Sequence, residues 1–323
     1  MKKSKIEWTE TTWNPITGCT KISDGCKNCY AERMTKRLQA MDLDKYKNGF
    51  DKITLHEDYL NEPLKLTNPT VIFVCSMSDL FHEEVPYSFI DKVFNVIRQT
   101  PQHTYQILTK RAINMYKYFH GRTIPKNVWL GVTVENKKAR DRIQYLKQLN
   151  AIVKFISCEP LLEDIGSLLL KGVDWVIVGG ESGHNARKMN KEWVLNIKEQ
   201  CELYHVPFFF KQWGEYGEDG VKRSKYKNGK LLNGKEYLEK PIRNKFENNE
   251  YHYAMMHDLT YDVHFNNEQD SNNKGFTDSY DDCLSYIEEY NGTNHSYFKD
   301  YKGGTVSIIC NETGETIFET EVK

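Results

Sequence analysis

Six short runs in the first two-thirds of the chain are almost continuously apolar and rich in β-branched or aromatic side chains. They are Val71–Cys75, Tyr105–Leu108, Val128–Val134, Ile152–Ile156, Val173–Val178 and Val206–Phe210. Runs of this length without polar alternation predict strands covered on both faces, as in a parallel sheet. Amphipathic stretches separate them. Ala31–Met41 is one, and Pro86–Gln99 sets Phe89, Val93, Phe94 and Ile97 on a single face. Lys137–Leu149 places Ile143, Leu146 and Leu149 at helical spacing, and Lys191–Tyr204 does so with Val194, Ile197 and Cys201. Repeated strand–helix alternation predicts an α/β fold, and the number of units favours a complete or partial TIM-like β/α barrel. A doubly wound open sheet would give the same alternation, so the pattern leaves both topologies open.

The pattern changes near Pro241. The following stretch is rich in Asn, Asp and Tyr, with a predicted helix at Tyr280–Tyr290 and a hairpin formed by Gly304–Cys310, a turn at Asn311–Gly314, and Glu315–Glu321. Residues 1–245 therefore read as the barrel and 246–323 as a small appended α+β module. Charge divides in the same place. The whole chain of 323 residues has a formal net charge of -1, yet residues 246–323 hold 16 acidic and 4 basic side chains, leaving +11 on residues 1–245. A basic body suits anionic partners, although ordinary solvated surface charge can also divide this way. Lys222, Arg223, Lys225, Lys227, Lys230, Lys235, Lys240, Arg243 and Lys245, with Tyr226 and Tyr237 among them, fit a nucleic acid or nucleotide as substrate, or a solvated loop. His252, His257 and His264 are too irregularly spaced to predict a metal site.

No apolar run reaches the roughly 20 residues a spanning helix needs, and the N-terminus lacks an apolar signal core, so no membrane association is expected. Of the 8 Cys residues only Cys19, Cys26 and Cys29 cluster, which argues against a disulfide scaffold and for a reducing cytoplasm. The three lie in Trp13-Asn-Pro-Ile-Thr-Gly-Cys19-Thr-Lys-Ile-Ser-Asp-Gly-Cys26-Lys-Asn-Cys29-Tyr-Ala-Glu-Arg33, a loop before a helix. Three soft thiolates can take three irons of a [4Fe–4S] cluster and leave the fourth iron open to a small chelator. Zinc is the competing metal, but structural zinc usually takes four donors, and no second C-x-x-C pair is present.

These residues carry a resemblance. The cysteine segment, with Ser76-Met-Ser-Asp-Leu-Phe81, Leu108-Thr-Lys-Arg111, Trp129–Glu135, Ser157-Cys-Glu-Pro-Leu161, Gly179-Gly-Glu-Ser-Gly183, Phe209–Gly214 and Leu232–Pro241, resembles the phage-associated three-cysteine-motif family. That family is radical SAM-like and more remotely similar to spore photoproduct lyase. The resemblance covers about residues 5–241. It implies a radical SAM barrel, a [4Fe–4S] cluster on Cys19, Cys26 and Cys29, S-adenosyl-L-methionine as second cofactor, and a reductant for the cluster. The C-x6-C-x2-C spacing is longer than the usual C-x3-C-x2-C of radical SAM enzymes.

The residues themselves add a second pattern. Each predicted strand is followed by polar groups, and β/α barrels assemble their sites at the C-terminal ends of strands. Ser76, Asp79, Lys110, Glu135 and Gly180 are the expected cofactor-side residues. Glu159, Glu181, Lys211 and Gln212 are the expected catalytic, substrate-side residues. Any one of these could instead be an ordinary loop or capping group. The alternative to an enzyme is a zinc- or cluster-stabilised protein that binds nucleic acid or a phage partner without chemistry.

Overall fold

The computed structural model describes Ser4 and residues 6–241, 261–267, 269–273, 280–311 and 316–323. The chain divides into two compact units, Met1–Pro241 and Ile242–Lys323.

The first unit is built on seven parallel strands. β1 (Thr11–Trp13) opens it, and β2 (Ile16–Thr17) and β3 (Thr54–Leu55) form a separate two-stranded antiparallel pair. β4 (Val71–Val74), β5 (Thr104–Thr109), β6 (Val128–Thr133), β7 (Val153–Cys158), β8 (Trp175–Gly179) and β9 (Phe208–Gln212) follow. The main sheet runs β1-β4-β5-β6-β7-β8-β9, every neighbour parallel. A doubly wound sheet reverses its strand order at a switch point. This order never reverses, so the sheet is wound in one direction, as in a partial β/α barrel.

Helices α1 (Tyr30–Ala40), α2 (Tyr87–Gln99), α3 (Ala112–Phe119), α4 (Asp141–Lys147) and α5 (Lys191–Leu203) lie between the strands, and the short α6 (Lys225–Asn228) follows β9. Successive strand residues point to opposite faces. One set, including Ile72, Val74, Ile107, Leu130, Val132, Ile156, Val176, Val178 and Phe210, packs with the apolar faces of α2 to α5. The other set, Phe73, Trp129, Val153, Phe155, Trp175, Ile177 and Phe209, forms a second core with Trp8. The Trp8 ring lies 4.8 Å from that of Phe73 on β4 and 6.3 Å from that of Trp175 on β8. Those strands would stand about 19 Å apart in a flat sheet. The sheet is therefore curled around an aromatic interior. Gly131, paired with Phe155, makes room for it: a Cβ there would sit 2.5 Å from the Phe155 ring. The β9 edge is covered by Tyr237–Glu239, through Phe210 N to Tyr237 O at 2.8 Å and Glu239 N to Phe208 O at 3.2 Å. No helix of the described residues is long and apolar enough to cross a membrane.

The small β2–β3 pair carries a pH-sensitive group. His56 Nε2 lies 2.8 Å from Thr17 Oγ1, and burial, aided by the Lys45 charge, pushes the imidazole pKa down to about 4. The unfolded chain takes up a proton near pH 6.5 that the folded chain refuses. Stability from this group is complete above pH 6.5 and declines as pH falls toward 4. Between those limits the decline should reach about 1–2 kcal/mol, allowing for solvent screening of a half-buried ring. Urea melts of His56→Gln at pH 7 and pH 4.5 should show a smaller difference than the wild type; an equal difference would refute the assignment.

The second unit has an antiparallel sheet of its own, in the order β11-β10-β12-β13, from β10 (Tyr261–Asn266), β11 (Ser271–Asn273), β12 (Thr305–Cys310) and β13 (Thr316–Glu321). The helix Tyr280–Tyr290 packs Cys283, Tyr286 and Ile287 with Val263, Phe265, Val306 and Ile308. β12 and β13 are the arms of the hairpin read from the sequence. Residues 312–314 of its turn, His252, His257, Arg243 and Lys245 lie outside the described residues.

Candidate metal centre

The three cysteines belong to the segment between β2 and α1, and this segment runs along the C-terminal ends of the strands. Its entry is fixed by backbone geometry. Gly18 has φ +87°, and a Cβ there would meet the Lys52 carbonyl oxygen at 2.1 Å. Cys19 N donates to Phe50 O at 2.7 Å. Beyond that point, successive strand ends hold successive pieces of the loop. After β4, the Ser78 hydroxyl donates to the Gly18 carbonyl. After β5, Arg111 donates from Nη2 to Thr20 O at 3.2 Å and Thr20 Oγ1 at 2.9 Å, and from Nη1 to Cys19 Sγ at 3.6 Å. After β6, Asn136 Nδ2 donates to Asp24 Oδ2 at 3.0 Å, and Glu135 lies under Gly25. After β8, Glu181 Oε2 and Asn185 O accept both amide protons of Asn28, at 3.0 and 2.8 Å. Arg33 Nη2, just inside α1, donates to Ser182 O at 2.9 Å.

This arrangement redistributes the expected roles. The Asp79 carboxylate is fully engaged. Oδ1 accepts from Thr109 Oγ1 at 2.7 Å and Phe81 N at 3.1 Å, and Oδ2 from Lys110 N at 3.2 Å and Arg111 Nη1 at 3.3 Å. Ser76 Oγ donates to Asn14 Oδ1 at 3.1 Å, which ties the β4 end to the segment before the cysteines. Gly180 is demanded by the next strand: a Cβ would fall 1.9 Å from Trp213 O, so backbone packing accounts for it without a ligand. Glu181 is occupied by Asn28 and Arg187. Lys110 and Glu135 border the turn before Cys26: the Lys110 charge acts on that thiol, and Glu135 lies under Gly25. Lys110 Nζ reaches Thr133 Oγ1 at 3.4 Å, and the buried Glu135 accepts from Arg142 Nη1 at 2.7 Å through Oε2. Its Oε1 makes no well-formed hydrogen bond. Burial raises the Glu135 carboxyl, but the charges of Lys110 and Arg142 and the nearby Ser23 hydroxyl hold it below the ordinary range.

The ends of β7 and β9 carry a separate group. Lys211 Nζ pairs with Glu159 Oε1 at 2.7 Å, and Ser157 Oγ lies 3.1 Å from Glu159 Oε2. Gln212 Nε2 donates to Gly180 O at 3.1 Å and reaches Ser182 Oγ at 3.3 Å. The residue missing from the expected set is Arg111, buried between Asp79 and the loop. Its sequence signs are its place directly after Lys110 at a strand end and in the Leu108-Thr-Lys-Arg111 motif. In the basic segment, Arg223 pairs with Asp219, and Lys230 with Glu236, which neutralises part of its charge.

The thiols themselves differ. Burial and the Asp79 charge push Cys19 up to about 11 against the opposing pull of Arg111. For Cys26 burial also raises the pKa, but Lys110, the Ile22 and Ser23 backbone and the Ser23 hydroxyl bring it below its ordinary value. All three are free and half-buried. Among the described residues, no group of three His, Cys, Asp or Glu side chains is drawn together at metal-ligand distances. The donor set nonetheless fits a soft metal or an iron–sulfur cluster in its chemistry. It offers three thiols on one segment, with a guanidinium on one sulfur and an ammonium beside another, and such cations favour thiolate.

No curated protein matches the chain. Among solved structures, a cysteine-to-serine mutant of spore photoproduct lyase aligns over 79% of this chain and 75% of its own, at 12% sequence identity and a TM-score of 0.36. A likeness at that level carries no argument about chemistry. Residues 3–241, most of the chain, match the family model described as "Protein of unknown function (DUF5131)", and the protein belongs to that family.

Proposed function

We propose that the protein is a radical SAM-type iron–sulfur enzyme, with Cys19, Cys26 and Cys29 each holding one iron of a [4Fe–4S] cluster. The observation that carries this reading is the course of the three-thiol segment across the C-terminal ends of a singly wound parallel sheet, where β/α barrels place their chemistry. Bound there, a reduced cluster supplies one-electron reduction of the sulfonium of S-adenosyl-L-methionine, the start of radical chemistry. The remaining work belongs to the chain. Lys110 and Arg111 offset the negative charge of thiolate ligands. Lys110 and Glu135, a cation and an anion beside the loop, suit the carboxylate and ammonium of an amino-acid ligand. Glu159, Lys211 and Gln212, at strand ends the loop does not use, stand on the substrate side. The aromatic interior beneath them keeps water out of the barrel.

Anaerobic reconstitution with iron and sulfide tests the reading. The wild type should carry about four irons per chain and absorb broadly near about 400 nm. The Cys19→Ala/Cys26→Ala/Cys29→Ala variant should carry less than about one. With S-adenosyl-L-methionine and dithionite, only the wild type should release 5′-deoxyadenosine. A colourless protein with stoichiometric zinc, or iron undiminished in the triple variant, would overturn it.

A further inference from the structure

We infer that Glu181 is a positioning residue that fixes the Cys26–Cys29 turn through Asn28, independently of the Arg111 hold on Cys19. An ionised carboxylate offers about four acceptor sites. Glu181 accepts four hydrogen bonds, three of them at one oxygen: Oε2 accepts from Asn28 Nδ2 at 3.0 Å, Arg187 N at 2.8 Å and Arg187 Nε at 2.9 Å, and Oε1 from Arg187 Nη2 at 2.6 Å. A general base needs a lone pair facing substrate. Glu181 has Oε2 saturated and Oε1 bonded to Arg187 Nη2, and the Arg187 fork neutralises its charge.

The anchor beneath it is rigid. Gly180 N donates to Gln212 O at 2.9 Å, Glu215 N to Glu181 O at 3.0 Å, and the Trp213 carbonyl fills the space a Gly180 side chain would need. On the loop side the attachment is specific. Asn28 stands between the second and third thiols, and both of its amide protons go to the segment after β8. Cys19 is held elsewhere, by Arg111 beyond β5, which donates to Cys19 Sγ and to Thr20 Oγ1 beside it. The loop thus has separable attachments: Arg111 at the first thiol, Asn136 on Asp24 before the second, and Glu181 with Asn185 on Asn28 between the second and third. The value of this for metal binding rests on the reading above; the geometry itself does not.

The test uses the full-length, metal-free protein and reads each thiol separately. Cysteines are alkylated with iodoacetamide and the extent at each is followed by mass spectrometry. In Glu181→Gln, alkylation of Cys26 and Cys29 should quicken about tenfold, the factor expected from losing a charge-assisted hydrogen bond. Cys19 should stay within about twofold. The buried Cys75, Cys158 and Cys201 report on the fold, and should stay unreacted. Asn28→Ala cuts the same attachment from the loop side without disturbing the Arg187 pair, and should give the same pattern. The double variant should be no faster than Asn28→Ala alone. Unchanged Cys26 and Cys29 in both variants, or a parallel rise at all six thiols in Asn28→Ala, would overturn the assignment. Because no metal is present, either result leaves the iron–sulfur reading to its own test.

Discussion

Replacement of Arg111 by Met should lower folding stability by about 3–5 kcal/mol, the usual consequence of removing one partner from a buried ion pair. Arg111 is 5% exposed, and its guanidinium serves Asp79, Glu83, Thr20 and Cys19 together. The Glu83 bond reaches an exposed carboxylate and contributes little. The Asp79 bond matters most, because that carboxylate is buried and would lose its one ion-pair partner among the described residues. Lys would not substitute well: a single ammonium cannot present a planar fork to acceptors on the loop and the sheet at once. If the cause is an uncompensated charge, Asp79→Asn in the Arg111→Met background should restore part of the loss, and urea denaturation of the four proteins forms the cycle. A loss below about 1 kcal/mol, or a double variant worse than the sum of the singles, would show that the pair is not what the site depends on.

The strands that were legible in the sequence are those buried on both faces. β4 to β9 are short apolar runs because helices cover one side and the aromatic interior fills the other. Their C-terminal bounds were less legible. Ser157, Cys158, Lys211 and Gln212 read as loop residues, yet the parallel ladder extends through Ser157 and Cys158 and, past a bulge at Lys211, reaches Gln212. β1 was missed: Thr11-Thr-Trp13 is too short for a period and pairs only with β4. α3 was missed because Tyr116, Tyr118 and Phe119 give the segment a strand-like composition, while burial of Met115, Tyr118 and Phe119 makes it a helix. The choice between open winding and reversal lay in pairing order, which no local pattern carries.

The cysteine segment and the polar strand ends were equally visible in the sequence. Their division of labour was not. Whether a strand-end carboxylate faces solvent or a loop depends on partners far away in the chain: Asp79 meets Arg111, and Glu181 meets Asn28 across 153 positions. The loop did hold a usable sign. Thr20, Asp24 and Asn28 are short polar residues placed one or two positions from a thiol, and each proves to be an attachment point. Polar groups so close to proposed ligands are candidates for holding a loop before they are candidates for chemistry. By that reasoning Glu159, Lys211 and Gln212, whose hydrogen bonds stay within the sheet and the segment after β8, are the better substrate-side choices than Glu181.

Trp175→Ala should be at least as damaging as the loss of Arg111, at about 3–5 kcal/mol, because it empties the centre of the curled sheet. Trp175 is fully buried on β8, with its ring 6.1 Å from Trp129, 5.8 Å from Phe155, 5.9 Å from Phe209 and 6.3 Å from Trp8. Its Nε1 donates to Glu239 O at 2.8 Å, so the same side chain ties the segment covering β9 to the interior. The substitution therefore removes aromatic contacts across the sheet and takes the indole donor from the Glu239 carbonyl at its edge. Trp175→Phe separates the two effects. It retains most of the ring volume and loses the donor, and should cost about 1–3 kcal/mol. If curvature is set by this aromatic filling, the Ala variant should also loosen the strand ends, and Cys19, Cys26 and Cys29 should all alkylate faster. The Phe variant should leave them near wild-type rates. Equal urea midpoints for wild type and Trp175→Ala would mean that the interior is not what holds the sheet curled, and that the course of the thiol loop over the strand ends must be explained by its own attachments alone.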